Sequence, residues 1–375
     1  MNVLILHAAA GADHRRAAEA LAKAAEAAGA KAIVCDILEF TPPFFRKTYA
    51  EGHLNVIRTV PELWASTYER SNRSQQHKWQ TDIRTVFSRL NTLAFFSFYH
   101  ECQPDAVLCT HFLPLELLAN SRKRRQRGVP LFGVLTDFAV HALWMCPHVD
   151  CYYVATEEAR CQLIRRGQPE DGTAVTGIPV DASFAVQTPA ADARARLGLD
   201  PALPTVLFMG GGFDVGSPVE FLKAFRAHAV PCQFLLVAGR HERMKAEAEA
   251  VATSLTQPVR VYGFVRNVPE LMDAADLVVA KPGGLTSAEV LAKGKPLLIV
   301  DPIPGQEQRN GECLLEAGAA ARLFEIAGAP WKIETLLGDK ARLAAMTEAA
   351  RRAGHPQAAQ ATMNDVHRRW AASRT

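Results

Sequence analysis

The chain has 375 residues, 49% of them hydrophobic and 22% charged, with a formal net charge of +3. That length supports two domains, each able to bury a core, and so small a charge speaks against a nucleic-acid partner. Eight cysteines, at 35, 102, 109, 146, 151, 161, 232 and 313, never form C-x-x-C. Neither a zinc knuckle nor a disulfide framework is signalled, and reduced thiols in a cytoplasmic protein fit best.

Val3–Leu6 reads as a first buried strand rather than a leader, and Arg15–Ala28, rich in alanine, as a helix that Gly29 ends. Ala32–Asp36 closes a βαβ unit. Residues 41–101 differ in character. Basic residues such as Arg46, Lys47, Arg58, Arg70, Arg84 and Arg89 are interleaved with aromatics such as Phe44, Tyr49, Trp64, Trp79 and Phe96. That mixture suits an anionic membrane surface, or a core with a solvated face. Ser121–Gly128 adds five basic residues in eight. No apolar run reaches the ~20 residues that span a bilayer, so membrane contact is expected to be peripheral, on the inner face.

Parallel strands are then expected at Ala106–Cys109, Leu131–Leu135, Cys151–Ala155 and Ala174–Thr176. Residues 181–204 are punctuated by proline and read as a linker between an N-terminal domain, 1–180, and a second domain, 205–340. Strands of the second domain are expected at Thr205–Met209, Gln233–Val237, Val259–Tyr262, Leu277–Ala280 and Leu297–Val300. Residues 341–375 form a helical tail. The fold class is α/β, with two doubly wound Rossmann-like halves.

Three stretches carry chemistry. Gly210-Gly211-Gly212 follows a strand, and Ser217-Pro218 opens the next helix, where backbone N–H groups can hold a diphosphate. The spacing matches neither the Rossmann fingerprint nor a P-loop. Lys281-Pro-Gly283-Gly284 also joins a strand to a helix, which is expected to start near Thr286. Thr286-Ser-Ala-Glu289 reads as a capping box, so Glu289 either caps the helix or accepts bonds from ribose hydroxyls. Gln306, Glu307 and Asn310 follow a strand's carboxyl end, where open α/β sheets bind ligands. In the first half, His14 sits at the first βα turn, and Asp137 and His141 are spaced to share a helix face. His14 and Asp137 are candidate general bases, although an Asp at a helix start is more often an N-cap than a base. No Asp-x-Asp occurs, so no paired carboxylates for a metal are visible and no metal requirement is expected.

Together the motifs resemble glycosyltransferase family 28, in its branch of monogalactosyldiacylglycerol synthases and processive diacylglycerol glucosyltransferases. The residues that carry the resemblance are Pro61-Glu-Leu-Trp64, Thr110-His-Phe-Leu-Pro114, Thr136-Asp-Phe138, Thr176-Gly-Ile-Pro179, Gly210-Gly-Gly212, Gly263-Phe264, Lys281-Pro-Gly-Gly-Leu-Thr286 with Glu289, and Pro304-Gly-Gln-Glu307 with Asn310. The resemblance implies a GT-B fold of two Rossmann-like domains facing a cleft, with the C-terminal helix returning to the first. It implies a UDP-sugar donor and a lipid acceptor, diacylglycerol. It places Gly210, Gly211, Gly212, Gly283 and Gly284 by the diphosphate, with Phe264 by uracil and Glu289 by the ribose. Gln306 and Glu307 would lie by the sugar, and His14 or Asp137 would be the base of an inverting transfer of galactose or glucose. Thr286, Arg240 and Asn310 join the donor side. Two departures stand out: Gly11-Ala-Asp-His14 where the family usually has Gly-x-Gly-His, and His241 after Arg240 where the family more often has Asn. Asp13 puts a negative charge on the acceptor side, which disfavours an anionic acceptor head group. A UDP-sugar epimerase and a non-catalytic nucleotide-sugar-binding protein are the alternatives.

Overall fold

The computed structural model describes residues 1–8, 12–42, 72, 93–122, 128–210 and 218–374. Most of the basic-aromatic segment, the run 123–127, Gly211, Gly212 and Ser217 lie outside the described residues. The chain divides into two compact units, one of Met1–Ala182, Pro304–Gln306 and Gln357–Thr375, the other of Ser183–Ile303 and Glu307–Pro356.

The first unit is built on a six-stranded sheet of β1 (Asn2–His7), β2 (Lys31–Asp36), β3 (Ala106–Cys109), β4 (Leu131–Val134), β5 (Cys151–Val154) and β6 (Thr173–Val175). Their order across the sheet is β2-β1-β3-β4-β5-β6, every pair parallel. Successive residues of β1 enter different cores: Leu4 and Leu6 pack with Leu115, Tyr152 and Trp144, whereas Val3 and Ile5 pack with Leu21, Phe132 and Val366. A strand whose alternate side chains are both buried needs cover on both faces, the mark of a doubly wound sheet. Alanines in the helix Ala12–Ala27, with Ala17, Ala18 and Ala25 wholly buried, give that cover at close approach. The helix Ala358–Ala372 packs against it and is tied to the sheet by the Tyr153 hydroxyl, which donates to Asp365 at 2.9 Å.

The second unit has a second all-parallel sheet, of β7 (Thr205–Met209), β8 (Gln233–Val237), β9 (Val259–Tyr262), β10 (Leu277–Ala280), β11 (Leu297–Ile299) and β12 (Ala320–Arg322), in the order β12-β11-β10-β7-β8-β9. The strand order reverses between β1 and β3 in the first sheet and between β7 and β10 in the second. Those are the points where crevices open at the carboxyl ends of the strands.

Four elements differ from expectation. β12 was not expected. Helix Gly284–Ala292 starts two residues early, with Gly283 as N-cap and no side-chain capping bond, so Thr286 is interior and there is no capping box. Asp137–His141 is not helical; His141 instead caps a 3-10 turn, its ring accepting from Leu143 N–H at 3.1 Å. The C-terminal helical tail is two helices, Lys340–Ala353 and Ala358–Ala372, broken at Gly354-His355-Pro356. A Cβ on Gly354 would collide with the Leu291 carbonyl, so only glycine lets the backbone pass there.

A buried ionic network lies below β10 in the second unit. Lys293 Nζ donates to Asp273 at 2.8 Å, with side chains 1% and 4% exposed, and also to the Val186 carbonyl. Asp273 in turn accepts from Thr188 N–H at 3.3 Å. Lys295 Nζ donates to the carbonyls of Asp273 and Ala275 at 3.0 and 2.8 Å. Burial pushes the Lys295 ammonium from its usual 10.5 down to about 8, against the pull of Asp273 and Asp276. Between those pH values the unfolded chain keeps a proton that the folded chain has lost, so this group's contribution to stability rises with pH. The buried thiols of Cys35, Cys151 and Cys232, pushed up to about 12, act oppositely above pH 9. The readout is therefore a difference. Between pH 7 and 9, wild type should gain roughly 1 kcal/mol of unfolding free energy over Lys295→Met in denaturant titrations. Parallel pH profiles would show that Lys295 keeps its proton throughout.

Candidate active site

His14 is held at the switch point of the first sheet. It lies in the first turn of helix Ala12–Ala27, immediately after β1. Its Nδ1 is 2.7 Å from the Thr110 carbonyl, just past the end of β3. A carbonyl only accepts, so Nδ1 carries the hydrogen, and in the neutral ring Nε2 keeps the lone pair. The Thr136 hydroxyl, after β4, is 3.1 Å from the same nitrogen. The Thr110 hydroxyl donates to the His14 carbonyl at 2.9 Å, so one threonine ties both backbone and ring of His14. The His111 ring stands edge-on to His14, centroids 4.6 Å apart, and accepts from Leu113 N–H at 3.0 Å. Three strand ends thus orient one imidazole with its basic nitrogen turned away from its anchors. Such a group can take a proton from a hydroxyl.

Asp137 lies one residue beyond Thr136, in a bend. The Gln306 side-chain amide, which groups with the first unit, donates to both its carboxylate oxygens at 2.9 and 2.8 Å. His14 and Asp137 therefore both stand at the carboxyl end of the first sheet.

In the second unit Gly210 directly follows β7, and a Cβ there would lie 2.9 Å from the Val237 carbonyl, so close approach of two backbones explains this glycine. Gly283 and Gly284 open the helix Gly284–Ala292 next to it, because β10 pairs with β7. The first N–H groups of that helix have no intrahelical partner and can meet an anion. Thr286 is half-buried in its first turn, and Glu289 is 1% exposed in its middle. Arg240 lies 4.7 Å above the centroid of Phe264, which is exposed, so the two form one flat cationic-aromatic platform at the ends of β8 and β9. Past β11, Gln306 opens helix Gln306–Glu316, Glu307 accepts from Ile303 N–H at 2.8 Å, and Asn310 is buried. Asp301, at φ 39°, takes a left-handed conformation where the chain turns from β11 into this loop. Residue reasoning alone did not single out Thr110 and Thr136; the available signal was a threonine directly after each of two buried strands.

A six-stranded parallel sheet in each of two units, with a histidine at one switch point and glycine turns at the other, defines the GT-B fold. MurG of Acinetobacter baumannii shares this fold at a TM-score of 0.66 and 15% identity, over 98% of this chain and 99% of that one. So does HepE of Anabaena, solved with UDP and glucose, at 0.52 and 16% over 98% and 99%. UDP-GlcNAc 2-epimerase of Neisseria meningitidis also matches, at 0.59 and 13% over 98% and 100%. The chain belongs to glycosyltransferase family 28: residues 14–180 match the family of monogalactosyldiacylglycerol (MGDG) synthase, and residues 205–362 match the glycosyltransferase family 28 C-terminal domain. Among curated relatives, the processive diacylglycerol beta-glucosyltransferase of Bacillus cereus is 28% identical over 93% of this chain and 88% of its own. That of Bacillus licheniformis is 26% identical over 91% and 88%, and that of Bacillus subtilis 31% over 59% and 57%.

Proposed function

We propose that this enzyme transfers a hexose, glucose in the first instance, from a UDP-sugar to a diacylglycerol hydroxyl with inversion at the anomeric carbon. The observation that carries the chemistry is the bond from His14 Nδ1 to the Thr110 carbonyl, which leaves Nε2 basic. The acceptor hydroxyl oxygen forms a bond to the anomeric carbon, and its proton passes to His14 Nε2. The bond from that carbon to the β-phosphate oxygen breaks, and the electron pair leaves with UDP. Gly210, Gly211, Gly212, Gly283 and Gly284 surround the diphosphate, Arg240 and Phe264 carry the uracil, and Thr286 and Glu289 meet the phosphate and ribose. Gln306, Glu307 and Asn310 read the sugar. The acceptor class and the glucose preference rest on the family and on the names of the relatives, whose β-product from an α-linked UDP-sugar requires inversion. Among the described residues no helix is long and apolar enough to cross a membrane, in keeping with a peripheral enzyme that meets its lipid at an anionic surface. The basic-aromatic stretch of residues 41–101 supports that contact by its composition.

The test offers UDP-glucose and UDP-galactose with diacylglycerol in anionic vesicles, reading product mass and UDP release. A β-hexosyl diacylglycerol, with UDP release dependent on lipid, is the expected result. Lipid-independent conversion of one UDP-sugar into another would make the protein an epimerase, and tight UDP-sugar binding without turnover on any lipid would make it a non-catalytic sensor.

A further inference from the structure

The second unit buries Lys281 and Lys293 and half-buries Lys295, and the latter two are fully engaged. Lys293 has Asp273 and the Val186 carbonyl, and Lys295 has two carbonyls. The third is Lys281, the residue that follows β10 and begins the turn into helix Gly284–Ala292. It is 9% exposed, yet its Nζ has no hydrogen-bond partner among the described residues. An ammonium has three donors and no acceptor, and burying it unpaired is strongly unfavourable. The unit therefore has the means to satisfy buried lysines and does not do so at this one.

The surroundings of Lys281 say what is missing. Burial lowers its pKa, and the acids that pull the other way are Glu307 and Asp301, both at the carboxyl end of the sheet. The side chain therefore serves the ligand-binding end rather than the base of the unit. β10 lies beside β7 at the switch point, so Lys281 adjoins the end of the strand that leads into Gly210. Its neighbour Pro282 is packed tightly: a Cβ added to Gly311 would lie 3.4 Å from the Pro282 ring and 3.4 Å from Ile299. Helix Gln306–Glu316 thus fixes the turn in place. Directly after it, Gly283 caps helix Gly284–Ala292 with no side-chain bond, so the helix's first N–H groups are also left for an external acceptor. An ammonium with no hydrogen-bond partner among the described residues and a helix N-terminus with no side-chain cap, three residues apart, present positive charge at one place, and low local dielectric strengthens its pull.

We propose that Lys281 supplies the fixed positive charge that holds the diphosphate of the donor over the Gly283–Gly284 turn. This rests on the donor reading above and adds a residue to it. A diphosphate carries the acceptor oxygens that the described residues do not give this ammonium, and adds negative charge to that of Glu307 and Asp301. The same charge stays in place for the UDP that leaves, so it favours departure as well as binding. The unliganded fold accepts an unpaired buried charge in order to have it there.

Calorimetric titrations of UDP and of uridine, which lacks the diphosphate, test this on wild type, Lys281→Met, Lys281→Gln and Lys281→Arg, with a thermal melt of each unliganded protein. The two neutral variants should bind UDP at least tenfold more weakly and uridine as wild type does, while melting no lower than wild type. Lys281→Arg should keep most of the UDP affinity. UDP affinity unchanged in the neutral variants, or UDP and uridine weakened alike, overturns the assignment while leaving the donor reading intact. Wild type that binds no UDP overturns both.

Discussion

His14→Ala should lose about 10²–10⁴-fold in kcat, the usual contribution of a general base, with UDP affinity close to that of wild type. His14 is proposed as the base on hydrogen-bond geometry. Thr110 presents a carbonyl to Nδ1 at 2.7 Å and thereby selects the tautomer whose Nε2 can accept a proton. Asp137→Asn should lose less, because the Asp137 carboxylate already receives the Gln306 amide on both oxygens. Thr136→Val, which removes the hydroxyl 3.1 Å from Nδ1, should fall between wild type and His14→Ala. Single-turnover rates with calorimetry of UDP on the same samples separate chemistry from binding. Near-wild-type turnover in His14→Ala, with a large loss in Asp137→Asn, would give the proton to Asp137 instead.

Lys293→Met should destabilise the second unit by about 3–5 kcal/mol, the penalty for stranding one partner of a buried ion pair. Asp273 is left with its carboxylate 4% exposed and, among the described residues, the Thr188 N–H in reach of the same oxygen. Lys293 also holds the Val186 carbonyl, and Gln187 donates to the Ala292 carbonyl at 3.1 Å. The segment before helix Ala190–Leu197 should therefore loosen with the pair, seen as faster amide exchange at residues 186–188. The double replacement Asp273→Leu with Lys293→Met removes both charges and should recover most of the loss, since apolar substitutes for a buried pair are often neutral. Denaturant titrations of the single and double variants decide this. A single variant that loses under 1 kcal/mol would show that water reaches the pair.

Much of the architecture was readable from residue pattern. Buried parallel strands leave short apolar runs, and Ala106–Cys109, Thr205–Met209, Gln233–Val237 and Leu277–Ala280 lie where those runs placed them, as does the half-buried edge strand Val259–Tyr262. β12 was missed because Ala-Ala-Arg carries no β-branched or aromatic residue and owes its strand state to pairing with β11. The Thr286–Glu289 box had the spacing of a cap, but Gly283 and Gly284 allow the helix to begin earlier, and a Thr-x-x-Glu pattern inside a helix looks the same as one at its start. Likewise Asp137 and His141 have helical spacing in a segment that forms no helix, because each is spent on local or side-chain bonds. Within the candidate site, His14, Glu289 and Gln306 stood out as polar residues at turns or strand ends. The Thr110 carbonyl could not, because a backbone acceptor carries no sequence label. Lys281 stood in a recognisable motif, but its missing partner is a property of three dimensions alone.

The two ends of the chain share one core. Met363 and Val366 pack with Val3, Ile5 and Leu21, so the unit begun by the first strand is completed by the last helix. On a ribosome adding roughly 5–20 residues per second, the first sheet waits on the order of ten seconds or more for that helix. During that time the apolar face that helix Ala12–Ala27 covers only in part stays partly open, while the second unit, contiguous but for three residues, can already close. The order of synthesis and the order of completion are therefore reversed for the two halves, and the half that waits is the one with the greater need of a chaperone's cover.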